Sequence, residues 1–286
     1  MEATLESICR YLDFLIGEVG YRVTLHGDFV AVPALVRYNM HLNPYCTYVK
    51  TVLGCGGRCA EKQRRVLEKS REGAFFGVCY AGVGEYVYPV TVRGETVGFV
   101  SVGGYRGLDE AAAQSRARRF AAREGVPEGE LLRMRAAMLA REIPERGRVD
   151  AVIYPLLLML ENHLTAREAV LPREEDLYTR LYRYVTLHHN TPVTMARLAR
   201  AFHVSVSTLS HLFRRRSGMS ISEYVAKLRL DDAAWLLTQS AFSLTEIAEI
   251  VGYCNPAYFS SAFKTRFGVT PRAWRKGRRG APPDEM

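Results

Sequence analysis

The sequence predicts an α+β chain, with a mixed α/β unit at the N-terminus, a helical connector, and an all-α unit at the C-terminus. Three observations carry this expectation. Between Tyr21 and Gly107, short segments rich in β-branched and aromatic residues flank one amphipathic helical segment. From Leu108 to Val170 the pattern is helical throughout. After Pro172 a pattern of two helices joined by a tight turn occurs twice, 49 to 50 residues apart. A length of 286 residues suits two domains.

The first segment, MEATLESICRYLDFLIGEVG, places Leu5, Ile8, Leu12, Leu15 and Ile16 on one helical side. It lacks the basic start and apolar core of a signal sequence. YRVTLHG and FVAVP read as short strands. CAEKQRRVLEKSREG reads as an amphipathic helix with Val66 and Leu67 inward, stopped at Gly73. FFGVC, EYVYPVTV and ETVGFVSVGG complete the strands, and Arg93-Gly94 makes the last two a hairpin. Tyr45, Tyr48, Phe75, Phe76, Tyr86 and Tyr88 are candidates to line an apolar pocket, with half of them ordinary core at alternating strand positions.

Cys46, Cys55, Cys59 and Cys79 follow the spacing C-x8-C-x3-C-x19-C. Four thiolates can hold a metal ion such as zinc, or an iron–sulfur cluster. The spacing lacks the paired C-x2-C knuckles of common zinc sites, so redox-switching, pocket-lining and inert buried thiols stand beside the metal reading. Cys46, Cys59 and Cys79 are expected to lie mutually close, whereas Gly54, Gly56 and Gly57 loosen the placement of Cys55. Cys9 and Cys254 are isolated and read as small apolar residues.

The connector contains DEAAAQSRARRFAAREG, PEGELLRMRAAMLARE and GRVDAVIYPLLLMLENHLTAREAV. In the last, Val152, Leu156, Leu157, Met159, Leu160 and Leu164 form an apolar surface that either packs on the N-terminal unit or forms a dimer seam. The longest apolar run, Ala151–Leu160, is too short to span a bilayer. A cytoplasmic location with reduced cysteines and no membrane partner is expected. PREED at Pro172–Asp176 is the best boundary, giving domains at 1–107, 108–171 and 172–280, with a tail at 281–286.

In LTEIAEIVGYCNPAYFSSAFKTRFGVTPRAWR (Leu244–Arg275), Leu244, Ile247, Ala248 and Val251 share one helical face. Gly252 supplies the positive φ of a tight turn. A second helix follows with Tyr258, Phe259 and Phe263 inward, and Gly268 and Pro271 separate it from the next. The upstream copy, Val193–Tyr224, sets Leu198 and Ala199 against Ile247 and Ala248, Phe213 against Phe263, and Gly218 against Gly268. His203 stands at the first turn, and His tolerates the left-handed region better than most residues. Between the copies, ISEYVAKLRLDDAAWLLTQS is an amphipathic helix with Tyr224, Leu228, Ala233, Trp235, Leu236 and Leu237 as its core. Its length of roughly 30 Å is close to the ~34 Å of one DNA turn. A rod of that length could set two recognition helices in successive major grooves. In the first of these helices Ser205 is the N-cap and Leu209, Leu212 and Phe213 are core, which leaves Val206, Ser207, Ser210, His211 and Arg214 outward. In the second, Asn255 is the N-cap.

The formal charge of +9 is uneven: after Leu171 there are 17 Lys and Arg against 10 Asp and Glu, and before it 22 against 20. One basic unit beside a near-neutral one fits phosphate binding by a single module. No phosphate loop, nucleophile elbow or HExxH motif is present, so an enzyme is not expected.

The Leu244–Arg275 motif closely resembles the signature of AraC-type bacterial transcription regulators, and the upstream copy follows the same plan. The resemblance implies sequence-specific binding of double-stranded promoter DNA. Aligned on the family motif, Ser207, Ser210 and His211 are base-edge candidates, with Arg214 beside them. Pro256, Ala257, Ser260 and Ser261 hold groove-facing positions, and Lys264 faces phosphate. Many relatives carry Arg where Ser261 stands, so the second helix is expected to contribute backbone contacts and thymine-methyl packing. Pro44–Gly104, through PYC, GRC, CYAG and EYVYPVTVRGETVGFVSVGG, resembles the PocR sensory domain, a PAS-like module. That resemblance implies binding of a small organic ligand such as a simple alcohol, diol or hydrocarbon derivative. Cys46, Cys59 and Cys79 fall on the family's recurrent cysteine positions, Cys55 is extra, and Tyr80 stands where His is common. Tyr45, Cys46, Phe76, Cys79 and Tyr86 are the ligand-binding candidates. Together the resemblances imply a homodimeric one-component regulator, an activator that contacts RNA polymerase. Its rivals are a redox- or metal-responsive regulator using the cysteines and an Ada-like DNA-repair methyltransferase.

Overall fold

The computed structural model describes residues 2–32, 34–39, 43–53, 55–168, 176–190, 193–239 and 242–278. The expected boundary residues Pro172–Glu175 and the tail 281–286 lie outside the described residues. The chain divides into two compact units, Met1–Leu171 and Pro172–Met286.

In the first unit, β1 (Val23–Gly27), β2 (Phe75–Val78), β3 (Gly84–Val92) and β4 (Glu95–Tyr105) form an antiparallel sheet of order β1-β4-β3-β2. Arg93 and Gly94 both take positive φ, 50° and 83°, as a two-residue hairpin loop requires to match the strand twist. β1 pairs with β4 from Val23 opposite Val102 to Gly27 opposite Gly98. That last pair has no room for side chains: a Cβ on Gly98 would collide with the His26 carbonyl oxygen and the Phe29 ring. Gly27, at φ 132°, turns the chain out of the sheet, and Asp28–Ala31 is a 3-10 turn rather than the strand expected of FVAVP. The close seat of the Phe29 ring against both glycines ends the strand there.

Side-chain alternation divides the strands between two faces. On one, the Tyr86 and Tyr88 hydroxyls donate to Pro144 O at 2.9 Å and to Asp150 Oδ1 at 2.6 Å. Helix α1 spans Glu2–Gly17 and buries Ile8, Leu12 and Leu15. It packs on β1 and on a long helix, Arg146–Glu168, which also lies against β3 and buries Val149, Ile153, Leu156 and Leu160. The other face meets α3 (Gly56–Ser70), which follows α2 (Pro44–Thr47) and a π turn at Tyr48–Val52. Helices α4 (Glu110–Glu124) and α5 (Glu128–Met138) bring Ala117, Phe120, Ala121 and Leu131 into one apolar cluster with Tyr45, Tyr48, Ala81 and Val83. The long helix Arg146–Glu168 is α6. The helices expected as a connector therefore pack within the first unit and complete its core. Arg135, 1 % exposed, ties them to the β2–β3 loop. Its Nε donates to Gly82 O at 2.9 Å, its Nη1 to Glu110 Oε1 at 2.7 Å, and its Nη2 to the Arg106 carbonyl.

The second unit is helical: α7 (Leu177–His188), α8 (Met195–Phe202), α9 (Val206–Ser217), α10 (Ile221–Gln239), α11 (Leu244–Ile250), α12 (Pro256–Phe267) and α13 (Pro271–Arg278). All six residues expected as the core of α10 are buried. Among the described residues no helix is long and apolar enough to cross a membrane.

Candidate functional site

The first candidate site lies under the sheet of the first unit. Asn43 caps α2, its Oδ1 accepting from Tyr45 N at 2.8 Å and Cys46 N at 3.3 Å, which fixes both residues. The Tyr45 hydroxyl donates to Ala81 O at 3.0 Å and so joins α2 to the β2–β3 loop. Cys59 stands near the start of α3, and Cys79 and Tyr80 follow β2. Together they surround a cavity of about 60 Å³. A single water needs only ~10–15 Å³. Tyr45, Cys46, Cys59 and Cys79 all line it, so three of the cysteines converge.

Phe76 and Tyr86 do not. They pair across β2 and β3 with their rings 4.9 Å apart, on the face turned toward Pro144, because their strand phase is opposite to that of Glu85. Cys55 is also outside the cavity: its Sγ donates to Leu53 O at 3.2 Å and it packs in the apolar cluster. Among the described residues no group of three or more His, Cys, Asp or Glu is placed to hold a metal ion. Cys55 therefore does not join Cys46, Cys59 and Cys79 at the cavity, so the four cysteines do not form one group. Burial pushes Cys79 up to about 12 and Cys46 well above the usual thiol range, so both stay protonated. The Cys59 Sγ and the Tyr80 hydroxyl lie 3.2 Å apart in a hydrogen bond.

Four polar cavity residues escaped the sequence reading: His26 and Glu85 on the sheet, and Lys62 and Gln63 on α3. His26 Nε2 lies 3.1 Å from Ser101 Oγ, and its ring stacks on Phe99 at 4.3 Å. Burial, assisted by the Lys50 charge, lowers His26 to about 3, so the ring is neutral. Glu85 also bonds the Ser101 hydroxyl, and burial pushes its carboxyl up to about 7 against that bond and the Lys50 charge. Gly103 stands opposite Glu85 in the register. A Cβ there would come 3.1 Å from that of Glu85, so the glycine leaves the carboxylate its space. The available signal was a Glu in phase with the inward Val87 of an apolar strand.

The second candidate site is the pair of recognition helices. His203 takes φ 55° at the first turn and Gly252 φ 92° at the second. Ser205 caps α9 by accepting from Thr208 N at 3.0 Å, and Asn255 caps α12 by accepting from Ala257 N at 2.8 Å. Leu209 and Phe213 anchor α9, while Ser207, Ser210, His211 and Arg214 are exposed at the i, i+3, i+4, i+7 spacing of one face. On α12, Phe259 and Phe263 are buried, and Pro256, Ala257, Ser261 and Lys264 are exposed. Ser260 is half-buried, and its hydroxyl donates to Pro256 O at 2.9 Å. Tyr258, expected inward, is 67 % exposed, and its ring lies 5.9 Å from that of Tyr253 in a tilted contact. It belongs with the outward residues. Arg229 of α10 joins the two repeats: its Nε donates to His189 O at 2.7 Å and its Nη1 to Gly252 O at 2.8 Å. His189 in turn meets Asp232 Oδ2 through Nε2 at 2.5 Å, both side chains being buried.

Residues 198–277 match a helix-turn-helix domain, and residues 23–164 match the sensory domain found in PocR. The regulatory protein PocR of Salmonella typhimurium is 22 % identical over 270 residues, covering 89 % of this chain and 87 % of that protein. The HTH-type transcriptional activator RhaR of Cronobacter sakazakii is 36 % identical over 87 residues, 30 % of this chain and 31 % of its own length. The chain spans 58 % of a further relative, the HTH-type transcriptional regulator YijO of Escherichia coli, at 24 % identity over 57 % of this chain. Among solved structures, the C-terminal domain of AraT, a response regulator from Geobacillus stearothermophilus, is 31 % identical, with 40 % of this chain and 96 % of that chain covered and a TM-score of 0.36. A sensory module and a helix-turn-helix module thus share one polypeptide. The chain carries an AraC-type helix-turn-helix domain behind a PocR sensory domain.

Proposed function

We propose that this protein is a cytoplasmic one-component transcription regulator whose binding of promoter DNA is controlled by a small organic molecule held in the cavity. The observation that carries this reading is the cavity itself: an apolar chamber beneath the sheet of the sensory unit, in a chain whose other unit presents two capped recognition helices. Residues 172–280 hold the DNA. Ser207, Ser210 and His211 read base edges, Arg214 and Lys264 meet phosphates, and Pro256, Ala257, Tyr258 and Ser261 provide apolar and backbone contacts in the second groove. Tyr45, Cys46 and Cys79 contact the ligand. The regulator acts as a homodimeric activator that engages RNA polymerase. The names of the RhaR relatives support activation, and the exposed Phe14, Tyr154 and Leu158 of α1 and α6 support self-association.

The test is binding of the full chain to DNA from its own promoter, with and without the small-molecule fraction of its host cells. Saturable, site-selective binding whose affinity changes when the fraction is added is expected. Binding no tighter than to random DNA, or an affinity indifferent to every fraction, overturns the reading.

A further inference from the structure

The cavity wall is mostly apolar and aromatic, with Lys62 and Gln63 of α3 and His26 of β1 among its polar groups, and its single carboxylate, Glu85, faces it from the sheet. Its surroundings are specific. From β1 comes His26, held neutral by burial. The α2 region contributes the protonated Cys46 and, at longer range, the Lys50 ammonium. The β2–β3 loop brings the thiol of Cys79 and the phenol of Tyr80, both pushed up by burial. Helix α3 brings Cys59 and Lys62 to the wall, and Lys50 is the cation that acts on Glu85. The hydrogen bond from Ser101 and the Lys50 charge together fall short of the cost of burial, which is why the carboxyl titrates near neutrality.

A buried carboxylate is stabilised by a partner that brings both charge and a hydrogen-bond donor. An alcohol brings the donor alone, and an anion is repelled. A cation also gains from aromatic rings beside it, and Tyr45, Tyr80 and Phe99 are in the cavity wall. We propose that the cavity takes a small aliphatic ammonium ion, its nitrogen on the Glu85 carboxylate and its hydrocarbon part against Tyr45, Val83 and Phe99. This assignment rests on the sensory reading above and names the chemical class of its ligand. Glu85 is its specificity-determining residue, and Gly103 keeps the space for it.

The experiment is calorimetric titration of the full chain at neutral pH with propylammonium chloride, 1-propanol and sodium propionate. Propylammonium is expected to bind at least about tenfold tighter than 1-propanol, with propionate weakest, and its affinity should rise from pH 6 to pH 8 as Glu85 ionises. Glu85→Gln should lose most of the ammonium affinity while changing that for 1-propanol little. Should Glu85→Gln fail to fold by circular dichroism, Glu85→Asp, which keeps the charge, should still prefer the ammonium. Equal or tighter binding of 1-propanol by the native chain, undiminished ammonium binding by Glu85→Gln, or binding of none of the three overturns the proposal. The sensory reading stands or falls separately, on the response to host small molecules described above.

Discussion

Glu85 and His26 share the Ser101 hydroxyl on the buried face of the sheet, yet they act on stability from opposite ends of the pH scale. The Glu85 carboxyl is raised to about 7 in the folded chain from an ordinary 4.5, so the native state holds a proton there that the unfolded chain releases. The Glu85 contribution to stability is full below 4.5 and is lost as pH rises toward 7, by at most about 1.4 kcal/mol per pH unit. His26 is lowered to about 3 from 6.5, so its contribution is present above 6.5 and is lost as pH falls toward 3. Glu85→Gln should therefore gain stability over the native chain between pH 4.5 and 7 in urea unfolding and keep that gain above 7; a difference independent of pH would refute the assignment. On the recognition helix α9, His211→Ala should cost roughly 1–3 kcal/mol on the preferred site and relax selection at one base pair. Unchanged site preference in a binding selection would remove His211 from the groove. At this scale the sequence was readable wherever a residue acts on its immediate neighbours. The caps Ser205 and Asn255, and the left-handed His203, follow from side-chain and backbone chemistry within three residues. Glu85 and Tyr258 were missed because their surroundings come from distant segments. A Glu in an apolar strand and a Tyr beside two buried phenylalanines look local until the register and the helix seat are known.

Between the two repeats, α10 works as a spacer whose attachments are side chain to backbone. Arg229 holds His189 O just after α7 and Gly252 O in the turn before α12, so one guanidinium ties the approach to the first repeat to the turn of the second. Arg229→Ala should lose about 2 kcal/mol of unfolding stability. It should also weaken binding to a two-site DNA much more than to either half-site alone, and it should tolerate a one-base-pair insertion between half-sites better than the native chain. Equal losses on whole and half sites would reduce Arg229 to a purely structural role. Several elements were legible in the sequence: the 3.6-residue period gave α10 and its six core residues, and the Arg93-Gly94 loop gave the β3–β4 hairpin. Two others were not. FVAVP has strand composition but follows Gly27, whose conformation and close approach to β4 end the sheet. The helices after Leu108 show the same amphipathic period whether they link domains or finish a core. Their role depends on partners such as Tyr45 and Ala81 that lie far away in sequence.

At the scale of the whole chain, the charge imbalance between the two units fixes an expectation about salt. Residues 172–280 alone should bind promoter DNA with a log–log salt slope of about −0.9 for each phosphate neutralised, and Lys264→Ala should lower the slope by about one while weakening all sequences alike. A flat salt response would separate the basic composition from DNA binding. Assignment of the charge to one unit needed only counting, whereas the chamber in the other unit needed the sheet, because its walls come from β1, α2, α3, β3 and β4. That sheet has a further consequence, for the way the protein is made. β1 pairs with β4, some eighty residues later in the chain, and α6, which covers that face, comes later still. During synthesis the first strand must wait unpaired while the ribosome supplies its neighbour, whereas the helical repeats downstream close over short distances. The first unit is thus expected to fold more slowly than the helical repeats. Pausing of translation after Tyr105, rather than within the helical repeats, is where the yield of active protein should be most sensitive.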